Sequence, residues 1–169
     1  ASIAFKADGE AILLFGKTLG HLGRSIYLRE IEGREDGPPP PVDLDVEKRN
    51  GDFVRALITQ DRVSAVHDCA DGGLIVTLAE MALAGDLGAE ISAIPGELPA
   101  HAALFGEDQA RYVVTCPAGS ADQRGADAEK AGVRAMRLGT TAGGSLLVGG
   151  HAKTNPERLS WVDDVGRAN

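Results

Sequence analysis

The side chains best suited to chemistry lie in the stretch VHDCADGGL, directly ahead of an almost wholly apolar segment. Its polar and glycine positions are His67, Asp68, Asp71, Gly72 and Gly73. The apolar run predicts a helix over Gly72–Ala84, and a helix N-terminus carries free N–H groups and about half a positive charge. Glycines there let an anion approach the backbone closely. The stretch therefore predicts a phosphate-binding helix entrance at the end of a strand.

A second interpretation of the same stretch needs no ligand. Asp71 is a suitable helix cap, and the two glycines permit a tight turn. If the phosphate interpretation holds, Gly73→Asp is expected to abolish binding and leave the fold intact. Cys69 lies in the same loop with no base beside it except His67, which disfavours a nucleophilic role.

A second acidic stretch, LFGEDQARYVV, has the composition of a ligand-binding loop. Its candidate residues are Gly106, Glu107, Asp108, Gln109 and Arg111. The two carboxylates are suited to a divalent metal or a ligand hydroxyl, and Arg111 is suited to an acid or a phosphate. The alternative is a polar turn that starts a strand, with Arg111 as the counter-ion of the acids.

Two further glycine-containing stretches give weaker signals. GHLGRSIY offers Gly23 and Ser25 as a phosphate-cradling helix entrance, but it has neither the Lys of a P-loop nor a GxGxxG pattern. A structural turn is the alternative there. TTAGG, from Thr140 to Gly144, predicts a hairpin turn.

Composition limits the class of protein. The 169 residues suffice for one domain with a sizeable core, and 43% of them are hydrophobic. The net charge of −8 argues against a nucleic-acid binder. No apolar run approaches the ~18 residues of a membrane span. Two cysteines without metal spacing favour a reduced, cytoplasmic setting. The abrupt start without Met suggests a piece of a longer protein.

Strand and helix patterns alternate without a strict βαβ repeat, which predicts an α+β domain with one mixed sheet and helices packed on it. The domain is expected over 1–150, followed by a polar tail over 151–169. The predicted strands are Glu10–Gly16, Val63–Val66, Leu87–Ser92, Arg111–Cys116 and two strands around TTAGG. The predicted helices are Ser25–Ile31, one capped by Asp43, Gly72–Ala84, a short one in AHAALF and an exposed one interrupted at Gly125.

In combination, VEKRNGDFVRALI, VHDCADGGLIVTLAEMA, LFGEDQARYVV and LGTTAGG resemble the synthetase subunits of phosphoribosylformylglycinamidine synthase. The resemblance covers Glu10 to Gly150 and points to the last, C-terminal-type domain, the second copy of an internal duplication. It extends to the wider aminoimidazole ribonucleotide synthetase-related superfamily, whose other members differ at the DGG and FGE positions. The resemblance implies an enzyme that makes formylglycinamidine ribonucleotide from formylglycinamide ribonucleotide, ATP and glutamine-derived ammonia.

The resemblance also implies how this domain takes part. ATP and Mg²⁺ serve the full enzyme, and the partners are the remainder of the synthetase chain, a glutaminase subunit and a small accessory subunit. The general acid/base lies in earlier domains, so no catalytic residue is expected here and the chain alone is expected to be inactive. A nucleotide or sugar-phosphate ligand at this copy's pseudo-symmetric site is one alternative. A non-catalytic scaffold and a domain of a related ATP-dependent enzyme are the others.

Overall fold

Seven strands form one mixed sheet in the computed structural model, which describes residues 1–149 and the short strand at 157–158. The strands are β1 Glu10–Phe15, β2 Ala65–Asp68, β3 Ala89–Ile91, β4 Tyr112–Pro117, β5 Ala135–Thr141, β6 Leu146–Val148 and β7 Glu157–Arg158. Their order across the sheet is β2-β4-β1-β5-β3-β6-β7. All neighbouring pairs are antiparallel except β3 and β6. The predicted α+β class with a single mixed sheet is confirmed.

Helices cover both faces of the sheet. They are α1 Ile26–Glu30, α2 Leu44–Thr59, α3 Gly73–Gly85, α4 Ala100–Phe105 and α5 Ala121–Lys130, and a 3₁₀ turn Ala118–Ser120 precedes α5. One apolar cluster contains side chains of α3 and α4, and the other contains side chains of α2 and α5. The sheet is therefore the middle of three layers.

Strand β1 lies inside the sheet, between β4 and β5, and both cores depend on it. Ile12 and Leu14 pack in the α3–α4 cluster, whereas Leu13 and Phe15 pack in the α2–α5 cluster. All six of its residues are buried, which explains why the strand is apolar without alternation from Ala11 to Phe15.

Helix α2 begins as predicted. The Asp43 carboxylate accepts hydrogen bonds from the N–H groups of Asp45 and Val46 at 3.0 and 3.1 Å. These bonds satisfy two of the free donors at the helix start and fix where the chain enters α2.

Two predictions of local structure are wrong. TTAGG does not form a hairpin, because β5 and β6 do not pair: β3 lies between them. Gly125 does not interrupt α5, which runs unbroken through it. A single glycine costs a helix only about 1 kcal/mol against Ala, and contacts elsewhere outweigh that cost.

Strand β2 begins two residues later than predicted, so His67 and Asp68 are its last two positions. The predicted tail over 151–169 lies outside the described residues apart from β7. Among the helices that the structure describes, none has both the length and the apolar character of a membrane span.

A pair of glycine substitutions tests this arrangement. A Cβ at Gly139 would overlap the carbonyl oxygen of Glu90 on the neighbouring strand, whereas a Cβ at Gly125 meets nothing within 4 Å. We expect Gly139→Ala to lower the free energy of unfolding by ~1–3 kcal/mol because β3 and β5 must separate. Gly125→Ala is expected to raise it by up to ~1 kcal/mol. Urea unfolding of the 169-residue chain measures both, and a Gly139→Ala variant as stable as the parent contradicts the strand pairing.

Candidate functional site

The Asp108 carboxylate is buried and accepts hydrogen bonds from three successive backbone N–H groups. Oδ2 accepts from Leu19 and Gly20 at 2.8 Å each, and Oδ1 accepts from His21 at 3.1 Å. Only 4% of Asp108 is exposed to solvent. The side chain therefore fixes the loop that follows β1, and both of its oxygens are already occupied.

The neighbouring Glu107 joins the N-termini of two helices. Its Oε1 accepts the N–H of Gly72, directly before α3, and the N–H of Ile26, the first residue of α1, at 2.8 Å each. A carboxylate oxygen is a favourable partner for such donors because of the partial positive charge at a helix start. At the predicted α3 entrance, an acid of the chain itself occupies the position expected for an anion.

Asp71 does not cap α3, so that part of the second interpretation is wrong. The residue in the capping position is Gly72, which has a left-handed backbone (φ +78°) and no side chain to donate to or accept from the helix. Asp71 lies one residue outside that position and is exposed. The free N–H of Gly72 is instead satisfied by Glu107, 35 residues further along the chain.

Gly73 is required by packing. Its φ is +70°, and a Cβ there would lie 2.6 Å from the carbonyl oxygen of Gly106 and 2.9 Å from that of Leu104. The start of α3 therefore contacts the end of α4 backbone to backbone. The expectation that Gly73→Asp leaves the fold intact is wrong, because any side chain would separate these two segments.

Arg111 is fully buried and uses its guanidinium within the same loop. Nε donates to the carbonyl oxygen of Asp108 at 3.1 Å, and a terminal nitrogen donates to Thr18 Oγ1 at 3.4 Å. The other terminal nitrogen donates to the carbonyl oxygen of Gly106. The Asp108 carboxylate is 3.9 Å away, as the counter-ion interpretation predicts. Each of the three nitrogens has an acceptor inside the protein.

Gly23 and Ser25 have structural roles in the loop before α1. Ser25 is the N-cap of α1, and its Oγ accepts the N–H of Leu28 at 3.3 Å. A Cβ on Gly23 would overlap the carbonyl oxygen of Pro38, because the proline-rich loop folds back onto this turn. The structural turn weighed for this stretch is present.

His67 links β2 to α3. Its Nδ1 lies 3.2 Å from an Asp68 oxygen, and its Nε2 lies 3.0 Å from Oε2 of Glu80 on α3. Glu80 was not predicted as part of the site, although it falls within the helix that the sequence indicated.

Burial raises the pKa of the Cys69 thiol, which disfavours the nucleophilic thiolate.

An open cleft of about 280 Å³ brings the two acidic stretches together with the first turns of α2. It is lined by Glu47, Asp68, Cys69, Ala70, Asp71, Glu107, Gln109, Ala110, Arg111 and Tyr112. Four of these residues carry carboxylates. Glu47 was missed because only the fold brings α2 to this place. Seven of the predicted site residues lie outside the lining: Gly23, Ser25, His67, Gly72, Gly73, Gly106 and Asp108. Among the described residues, no group of three or more His, Cys, Asp or Glu is arranged to hold a metal ion.

The fold and this site define an α+β domain with one acidic loop, Glu107 and Asp108. This loop accepts hydrogen bonds from the loop after β1 and from the starts of α1 and α3. The chain belongs to the family described as "AIR synthase related protein, C-terminal domain", which it matches over residues 7–150.

Two curated relatives are similar over most of the chain. Phosphoribosylformylglycinamidine synthase subunit PurL of Parvibaculum lavamentivorans is 60% identical over 151 residues, which are 88% of this chain and 20% of that protein. The subunit of the same name from Azorhizobium caulinodans is 57% identical over 99% of this chain and 24% of its own length. The chain thus spans about a fifth to a quarter of these relatives.

Solved structures share the fold. PurL of Thermotoga maritima complexed with FGAR superposes with a TM-score of 0.77 at 17% identity, covering 96% of this chain and 29% of that one. The hydrogenase maturation protein HypE of E. coli gives a TM-score of 0.67 at 20% identity, covering 94% and 51%. At these identities the likeness establishes the fold alone.

Removing one acceptor from Asp108 tests whether the acidic loop holds the structure together. Asp108→Asn turns one acceptor oxygen into an NH₂ group that faces backbone N–H donors, so we expect a loss of roughly 2–3 kcal/mol in the free energy of unfolding. The matched control is Asp71→Asn, at an exposed aspartate that lines the cleft, and it is expected to change stability by less than ~0.5 kcal/mol. Equal urea midpoints for the two variants would show that Asp108 is not structural.

Proposed function

We propose that the chain is the last, C-terminal-type domain of a phosphoribosylformylglycinamidine synthase synthetase subunit. The observation that supports this best is the 52–60% identity to relatives of that name, over 88–100% of the chain. The whole enzyme would convert formylglycinamide ribonucleotide, ATP and ammonia to formylglycinamidine ribonucleotide. We assign no catalytic residue to this domain, and the domain alone is expected to be inactive.

The proposed setting is a multi-subunit enzyme in the cytoplasm. Its partners would be the remainder of the synthetase chain, a glutaminase and a small accessory subunit. The solved PurLQS assembly of Thermotoga maritima, at a TM-score of 0.70, supports such partners by analogy of fold. ATP use by the full enzyme is supported by the Thermotoga maritima PurL complexed with ATP. Because no described group fits a metal ion, we assign the Mg²⁺ of the full enzyme no position in this domain.

Within that enzyme, we propose that the candidate residues chiefly hold the domain together. Glu107 and Asp108 accept five backbone N–H groups between them. Arg111 has an acceptor for each guanidinium nitrogen. A phosphate at the α3 entrance would have to displace Glu107, and it would face the other carboxylates of the cleft.

A second role, ligand binding at the cleft, is favoured by one observation. Asp68, Asp71 and Gln109 line the opening and are exposed, so their polar atoms can still reach a nucleotide or sugar phosphate carried with its cation. In this role His67, whose Nδ1 lies 3.2 Å from an Asp68 oxygen, would orient Asp68.

Calorimetric titration separates the two roles. If the residues are structural, the 169-residue chain should give no binding heat with ADP and Mg²⁺ or with ribose 5-phosphate up to millimolar concentration. The reason is that the N–H groups of Gly72 and Gly73 are already hydrogen-bonded, to Glu107 and to the carbonyl oxygen of Ala70. Micromolar binding that is lost in an Asp71→Ala, Gln109→Ala double variant would establish the ligand role instead. Both side chains are exposed, so this variant is expected to fold.

Replacing the matching segment of the Parvibaculum lavamentivorans subunit with this chain tests the parent enzyme. With formylglycinamide ribonucleotide, ATP, Mg²⁺ and ammonium chloride, we expect the chimera to form formylglycinamidine ribonucleotide. The rate should lie within about tenfold of the parent, a difference of ~1.4 kcal/mol in the barrier. The same chimera carrying Gly139→Ala is the control for a disrupted domain. A folded chimera without activity would contradict the proposal.

A further inference from the structure

The segment between α1 and α2 forms a rigid ridge on the surface. We define the prolyl ridge as Pro38–Leu44, which contains four consecutive prolines. It is anchored at its start, where His21 Nε2 lies 2.8 Å from the carbonyl oxygen of Pro38 and Arg24 Nε donates to that of Gly37 at 3.2 Å. Its end is fixed by the Asp43 cap of α2. Consecutive prolines stiffen the backbone between these anchors.

Two large apolar side chains stand out from this ridge. Val42 is 60% exposed and Leu44 is 78% exposed, the highest value among the large hydrophobic residues that the structure describes. Single exposed apolar residues are ordinary on protein surfaces. Here, however, a rigid backbone presents two of them together, and burying pre-organised side chains against a partner costs little conformational entropy.

The ridge adjoins the acidic cleft. Glu47 lies one helical turn after Leu44, on the same side of α2, and it lines the cleft with Asp68, Asp71 and Glu107. The cation among the described lining residues is Arg111, whose nitrogens already have acceptors inside the protein. Among the residues that line the cleft, carboxylates therefore outnumber cations four to one.

We infer that the prolyl ridge and the adjoining cleft dock the remainder of the synthetase chain. The docking face would supply an apolar or aromatic groove for Val42 and Leu44 and a Lys or Arg side chain for the cleft. This inference rests on the proposed function, because it takes the chain to be one domain of a longer subunit.

The size of the surface favours a tethered occupant over a separate one. A stable complex between free proteins buries upwards of ~1,000 Å², more than two side chains and one small cleft provide. A covalently attached partner acts at a roughly millimolar effective concentration, so a weak contact is enough. The relatives are four to five times as long as the matched segment, since it makes up 20–24% of their length.

The test uses the full-length chimera with Val42→Asp and Leu44→Asp together. Loss of docking should expose the domain boundary, so we expect limited trypsin digestion to release this domain about tenfold faster and calorimetric unfolding to split into two transitions. Glu47→Lys should accelerate trypsin cleavage less than the double variant does. Addition of 0.5 M NaCl should accelerate cleavage of the chimera without substitutions, because salt weakens the charge contact. The matched control is Leu83→Asp on α3, at a residue that is 48% exposed and distant in sequence from the ridge.

Three outcomes would overturn the inference. One is a double variant that is cleaved and unfolds like the chimera without substitutions. Another is equal acceleration of cleavage by Leu83→Asp, which would indicate general destabilisation. As a check on stability, the 169-residue chain with Val42→Asp and Leu44→Asp should keep its melting temperature. The third is a double variant whose digestion and unfolding do not change but whose assembly with the glutaminase and accessory subunits weakens. That result would assign the surface to a separate subunit. None of these measurements requires activity, so they stand apart from failure of the proposed function.

Discussion

Two adjacent carboxylates, Glu107 and Asp108, are the constraint on which the rest of this structure depends. Together they accept five backbone N–H groups from three places in the chain: the loop after β1, the start of α1 and the start of α3. Hydrogen bonds to a charged acceptor are stronger than neutral ones, and leaving the donors unpaired in a partly buried place would cost more than the bonds gain. The acidic loop thus determines where three segments meet.

The sheet explains why this loop can have that role. Strand β4 follows the acidic loop directly and lies between β1 and β2, the strands that lead into the other two loops. Their pairing brings the chain near Gly20, Gly72 and Glu107 to one end of the sheet. The backbone contact of Gly73 with the end of α4 then leaves no room for a side chain, and the carboxylates complete the junction. Strand pairing brings the three loops together, and hydrogen bonds to the two carboxylates hold them in place.

The sequence was sufficient for the periodic parts of the fold. The apolar run of β1, the Asp43 cap and the apolar α3 were predictable because each follows from residues that are neighbours in the chain. The position of β3 between β5 and β6 was not, since a glycine-rich turn between two strands looks the same whether or not the strands pair. Glu47 and Glu80 were also beyond reach, because what makes each relevant is a residue on another element.

The glycines and acids of the candidate site predicted a ligand because the same residue types suit a ligand site and a structural contact. A phosphate oxygen and a carboxylate oxygen are equivalent partners for an N–H group at a helix start, and glycine is equally suited to admitting an anion or another backbone. The residues around Gly72 would look the same in either case. The difference lies in whether an acid elsewhere in the chain reaches the N–H groups, and Glu107 reaches that of Gly72 from 35 residues away. A motif of this type therefore identifies the donors without identifying the acceptor.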